Sequence, residues 1–261
     1  MITTDRLTRR FGALLAVDAL SLQVGTGEIF GLVGRNGAGK TTTIKMLTTL
    51  LPPTSGSAAI AGHDIVRDAR NVRAVIGYVP QALSADGELT GYENLLVFAR
   101  LYDIPAAARR ERIAEALRFM ELHDAASRLV RTYSGGMIRR LEIAQSTLHR
   151  PKVLFLDEPT VGLDPLARHA VWRHVQRLNR ELGTTVVVTT HYMDEAEALC
   201  HRVAIMHRGA LAAVDAPQAL KAAIGPAATL DQAFERFTAG SEAASGYDQT
   251  SDTRRTAGRL G

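Results

Sequence analysis

The stretch Gly34-Arg35-Asn36-Gly37-Ala38-Gly39-Lys40-Thr41 fits the pattern G-x-x-x-x-G-K-[ST] and lies between the apolar run Ile29 to Val33 and the helically spaced Ile44, Leu47 and Leu51. A strand, a glycine-rich loop and a helix in that order build a phosphate cradle. The small Gly37, Ala38 and Gly39 let backbone N–H groups converge on phosphate oxygens, and the helix beginning near Lys40 presents the positive end of its dipole to them. Lys40 then reaches the β and γ phosphates, and the Thr41 hydroxyl is a ligand for Mg²⁺. Pro52 and Pro53 end the helical pattern.

Asp157 and Glu158 follow the apolar run Val153 to Leu156, which puts two carboxylates at the C-terminal edge of a central strand, where ligands of open α/β sheets bind. They can divide the work. Asp157 holds Mg²⁺, usually through water, and Glu158 accepts a proton from the water that attacks the γ phosphate.

Between and around these motifs the pattern alternates. Leu20 to Val24, Ile60 and Ile76 to Val79 read as short strands, and Thr185 to His191 as another buried one. From Glu88 to about Leu148 the spacing turns helical, with Ile113, Leu117 and Met120 on one helix and Met137, Leu141, Ala144 and Leu148 on the next. A further helix carries Val171, Val175, Leu178 and Leu182, with Asp164 as its cap and Pro165 as its first residue. From Gly240 large apolar groups become sparse, and residues 238–261 read as a disordered tail in which Arg254 and Arg255 are solvated.

Composition narrows the class. With 46% apolar and 22% charged residues over 261, the chain can bury an ordinary core. A net charge of +4, from 31 basic and 27 acidic residues, is too small a surplus to argue for nucleic acid, and none is expected. Cys200 is the only cysteine, so neither an internal disulfide nor a cysteine metal cluster is available, and it reads as a small packed hydrophobe in a reducing, cytoplasmic setting. The longest charge-free stretch, Met46 to His63, is broken by Pro52, Pro53 and Gly56 and cannot cross a bilayer as one helix. His169 and His174, five apart on a helix, are too far around it to share a metal and read as solvated.

Tyr133-Ser134-Gly135-Gly136-Met137 stands between the phosphate loop and the carboxylate pair, at a helix start that Ser134 can cap. With that segment the sequence resembles the ATP-binding subunits of ABC transporters, over roughly residues 2–237. The phrases GEIFGLVG, YSGGM, EPTVGLDP, HYMDEAEALC and TLDQAFERF resemble the drug and antibiotic exporter branch, the daunorubicin-resistance type. The resemblance implies an α/β P-loop NTPase cassette: a RecA-like α/β core, an antiparallel β subdomain, and a helical subdomain inserted at about 88–148.

The resemblance further implies roles. Ser134, Gly135 and Gly136 form the signature loop, and Gln81 is the glutamine that senses γ phosphate and Mg²⁺. Gly162-Leu163-Asp164 is the loop that crosses a dimer interface, and His191 is the switch histidine on the γ phosphate. Phe11 stacks on adenine with Val17 beside it, while Gly34, Asn36 and Thr42 complete the nucleotide contacts of the phosphate loop. Thr41, Gln81 and Asp157 are the Mg²⁺ ligands. Departures from the family pattern stand at Tyr133 and Met137, which replace Leu and Gln, and at Arg35, where proline is common. Because the signature serves another chain's ATP in this family, two subunits are expected, a homodimer being the simplest. A separate permease is the expected membrane partner, with the chain peripheral on the cytoplasmic face. Drug export leads; an importer ATPase, or a non-transport ATPase acting on ribosomes or DNA, are the alternatives.

Overall fold

The computed structural model describes residues 1–239. Ten strands occur among them: β1 (Ile2–Phe11), β2 (Leu14–Val24), β3 (Ile29–Val33), β4 (Ser55–Ile60), β5 (His63–Asp64), β6 (Ile76–Val79), β7 (Val153–Asp157), β8 (Thr185–Thr190), β9 (Arg202–His207) and β10 (Ala210–Asp215). Nine α-helices accompany them: α1 (Lys40–Leu47), α2 (Ala69–Val75), α3 (Gly91–Leu101), α4 (Ala106–Phe119), α5 (Gly135–Thr147), α6 (Pro165–Leu182), α7 (Met193–Leu199), α8 (Pro217–Ala222) and α9 (Leu230–Ala239). One sheet is antiparallel, in the order β2-β1-β4-β5; the other runs β10-β9-β3-β8-β7-β6 and is parallel except where β10 returns along β9.

The parallel sheet explains the continuous apolar runs, because its central strands are buried on both faces. Ile29 and Val33 of β3 point into one core with Leu154, Leu156, Val186 and Val188, while Phe30 and Leu32 point into the other with Phe155 and Val187. The first core packs beneath the helices of the insert, and the second beneath the antiparallel sheet, where Ile2, Leu7, Leu20 and Ile60 are fully buried. Gly31 is small because β9 and α7 press on it: a Cβ there would lie 2.8 Å from Cys200 Sγ. Cys200 is buried as expected, and burial pushes its thiol up, out of reactive range.

The helix boundaries follow local chemistry. Asp164 accepts from Ala167 N at 2.9 Å and Pro165 opens α6, whose end is closed by Gly183 at φ +66°. Thr90 and Glu93 form a reciprocal capping box on α3. The first strand is absent from the sequence reading and the second is longer than it. In β1 the pairing with β2 is irregular, with Arg6 at φ +45° and, on the partner strand, Ala19 at φ +43°, so the alternation that marks a strand is interrupted. Helix α9 runs to Ala239, and Thr238 on it is buried. The expected tail from 240, with Arg254 and Arg255, lies outside the described residues.

His174 departs from the sequence expectation. It is 1% exposed rather than solvated, packed near the Phe119 ring and 3.8 Å from a Glu121 oxygen, because the C-terminal end of α4 covers this face of α6. Burial lowers its pKa to about 4, with Glu121 opposing the shift. The unfolded chain takes up this proton as pH falls through 6.5, whereas the native chain resists until about 4, so the stability is complete above 6.5 and is lost on the way down. The loss is on the order of 3 kcal/mol, set mainly by the desolvation of the imidazole. Between pH 7 and pH 5 the melting temperature of a His174→Leu variant should therefore fall less than that of the wild type; equal falls in calorimetry would refute the assignment.

Candidate functional site

The phosphate loop connects the end of β3 to α1, and its glycines have separate physical reasons. Gly37 (φ +82°) and Gly39 (φ +101°) occupy the left-handed region, and a Cβ on Gly39 would also lie 2.5 Å from Ala16 O. Gly34 is set by proximity alone, since its Cβ would meet Met206 O at 2.6 Å. The loop forms one wall of an open cleft of about 650 Å³, with Asn36, Ala38, Thr42 and Gln81 on its lining.

Lys40 folds back over this loop. Its Nζ donates to Gly34 O at 2.7 Å and Arg35 O at 3.3 Å, and lies 3.1 Å from Glu158 Oε1. Glu158 itself sits at φ +47°, an unusual conformation for a residue with a Cβ. Its N–H is held by Thr189 Oγ1 at 2.9 Å, which turns the chain at the end of β7 and aims the carboxylate into the cleft. There Oε2 accepts from Gln81 Nε2 at 3.3 Å and lies 3.3 Å from His191 Nδ1, near enough for an ion pair but not aligned as a hydrogen bond. Lysine, glutamine and histidine from three different elements thus converge on one carboxylate that is 5% exposed.

Asp157 stands next to it. Its Oδ1 accepts from Thr189 Oγ1 at 2.6 Å and from Thr41 Oγ1 at 3.1 Å. A carboxylate, a hydroxyl and the nearby Gln81 amide make an all-oxygen donor set of the kind Mg²⁺ prefers, so the residues present fit that ion.

At the far end of the cleft Phe11 is 42% exposed, its ring carrying the Arg9 guanidinium at 4.6 Å. Val17 does not join it. Val17 is fully buried in the core under the antiparallel sheet, and strand alternation gives the cleft Ala16 instead. Arg35 leaves the cleft side altogether and borders a recess of about 160 Å³ with His191, Asp231 and Glu235.

The signature loop lies elsewhere. Ser134 accepts from Met137 N at 3.3 Å, capping α5, and together with Gly136 and Asp164 it lines a separate pocket of about 370 Å³. Gly136 is required by packing, since its Cβ would come within 2.8 Å of Ala167 Cβ on α6; a Cβ on Gly135 would lie 3.2 Å from Leu163 Cδ2. The unusual Tyr133 is explained by its hydroxyl, which donates to Ala125 O at 2.6 Å inside the helical insert. Met137 packs against the same core.

The sequence reading missed Arg139 and Glu142. They pair at 3.0 Å, nearly fully buried, and hold the segment around Gln81: Arg139 donates to Pro80 O at 2.7 Å and Gln81 O at 2.8 Å, while Glu142 accepts from Ser84 N. Two charges three apart among the apolar positions of α5 were the available signal.

Known proteins resemble the chain in sequence and in fold. The profile of the family described as ABC transporter matches residues 17–161. The chain is 46% identical over 224 residues to the daunorubicin/doxorubicin resistance ATP-binding protein DrrA of Streptomyces peucetius, covering 86% of this chain and 68% of that one. It is 44% identical over 219 residues to the Nod factor export ATP-binding protein I of Paraburkholderia xenovorans, covering 84% and 72%. Among solved structures, an ATP-binding subunit of an ABC transporter superposes with a TM-score of 0.80 at 28% identity, covering 91% of this chain and 99% of that one. A dimeric ATP-binding cassette in a post-hydrolysis state with ADP and phosphate gives 0.73 at 27%, covering 83% and 98%.

Proposed function

The chain belongs to the ABC transporter family as an ATP-binding, ATP-hydrolysing subunit, and from that premise we propose that two such subunits close around two Mg²⁺-ATP and drive a separate membrane permease. The observation that carries the mechanism is the convergence of Lys40, Gln81 and His191 on the Glu158 carboxylate at the mouth of the phosphate loop. The backbone of residues 36–42 cradles the phosphates, Lys40 exchanges its carbonyl partners for the β and γ oxygens, and Phe11 stacks on the adenine. Glu158 orients the attacking water and takes its proton at a carboxylate oxygen. His191 hydrogen-bonds the γ phosphate, and Gln81 holds the water from the opposite side. Thr41, Asp157 and Gln81 would hold Mg²⁺, which when bound neutralises charge on the β and γ oxygens.

The second half of each site comes from a second chain, because Ser134 and Gly136 border a different pocket from the phosphate loop of their own chain. A homodimer is the simplest assembly. The cassette runs from residue 2 through α9, with 88–148 as its inserted helical subdomain. No helix among the described residues is long and apolar enough to cross a membrane, which supports a separate permease and a peripheral position on the cytoplasmic face. The relatives named for daunorubicin resistance and Nod factor export favour outward transport of a hydrophobic or amphipathic compound over import.

Mixing two crippled chains tests the composite site. A Ser134→Arg chain and a Glu158→Gln chain should each be inactive alone. Mixed, they should recover on the order of a quarter of wild-type hydrolysis, since random pairing gives half mixed dimers with one intact site each. No recovery in a phosphate-release assay would refute sharing between chains.

A further inference from the structure

Four contacts tie the loop after β7 and the start of α6 to the segment that follows His191. Trp172 Nε1 and Thr160 Oγ1 both donate to Glu195 Oε1 at 2.9 Å, and all three residues are buried. Arg168 pairs with Asp194 at 3.2 Å and lies 4.4 Å from the centre of the Tyr192 ring, directly beside His191. Thr160 and Trp172 flank residues 162–164, and α6 also touches the signature loop through Ala167 and Gly136. Glu195 is fully buried; desolvation raises its carboxyl above the ordinary range, and hydrogen bonds from Thr190, Trp172 and Thr160 offset part of that cost.

Glu195 does not line the cleft at the phosphate loop, so its burial is not explained by the reaction. We propose that Glu195 is a positioning residue that bolts the His191 loop to α6 and to the loop after β7, so that the switch histidine is held in place relative to Glu158. The proposal rests on the reading of His191 given above. Without the bolt the phosphate loop still binds ATP, but His191 is no longer held at the γ phosphate, so turnover falls while affinity does not.

The test uses the full chain with Mg²⁺-ATP. Glu195→Ala should lower kcat by about 10- to 100-fold with the ATP Kd changed by less than about threefold, and Glu195→Gln, which keeps an acceptor for both donors, should restore kcat to within about threefold of wild type. Trp172 is the only tryptophan, so its emission reports the bolt directly. Adding ATP should shift that emission in the wild type and in Glu195→Gln, and shift it less in Glu195→Ala.

Should Glu195→Ala fail to fold, Trp172→Phe removes the N–H while keeping an aromatic ring, and it too should lower kcat at constant Kd. A folded Glu195→Ala or Trp172→Phe with wild-type kcat overturns the bolt while leaving the site reading intact. A loss of ATP affinity that parallels the loss of kcat also overturns it. A wild-type chain that does not hydrolyse ATP overturns the site reading and this proposal together.

Discussion

Replacing Glu158 by Gln should lower ATP hydrolysis by about 10²- to 10⁴-fold, the usual contribution of a positioned general base. The amide keeps the size of the carboxylate: its oxygen can still accept from Lys40 at the Oε1 position, while its NH2 takes the place of Oε2, where the Gln81 amide can turn to accept from it. What is lost is the ability to take a proton. A negative charge beside the γ phosphate is also lost, so ATP should bind more tightly and hold two chains together. Phosphate release and size-exclusion mass with Mg²⁺-ATP check both halves: collapse of hydrolysis together with a stable dimer is expected. Normal turnover from a monomer would remove Glu158 from the reaction and the ATP sandwich with it.

Lys40→Met should abolish ATP binding at any practical concentration and destabilise the free chain as well. Lys40 and Glu158 are both nearly buried and 3.1 Å apart, so removing the ammonium strands a carboxylate away from water. Breaking such a pair from one side costs about 3–5 kcal/mol, part of it recovered here as the open cleft admits water. The double variant Lys40→Met/Glu158→Gln removes the stranded charge and should regain most of that stability, while ATP binding stays lost because the phosphates have no cation. Calorimetry and ATP titration of the two variants separate the effects. Equal melting temperatures for single and double variants would show that the pair does not stabilise the free chain.

Much of this was legible from the sequence where the physics is short-range. The phosphate loop, the Ser134 and Asp164 caps and the doubly buried strands are set by neighbours within a few residues, through turn chemistry, capping and periodicity. Where packing decides, the reading failed. Val17 went to the core because one residue along a strand reverses the face, and His174 was buried by a helix from another part of the chain. Arg139, Glu142 and Glu195 look like ordinary surface charges until the segments that cover them are in place.

The sequence by itself determined which groups can do the chemistry: a loop able to cradle phosphate, a lysine, an adjacent carboxylate pair, and glycines where a side chain would not fit. Only the tertiary structure decided which of them meet. Gln81 reaches Glu158 across 77 residues and Lys40 pairs with the same carboxylate, whereas the signature loop faces a different pocket. The reason is that local backbone preferences act over one or two turns, while the distances between loops are set by strand order and register. Here β3, β8 and β7 lie side by side, and that arrangement brings the phosphate loop, His191 and Glu158 together at one edge of the sheet.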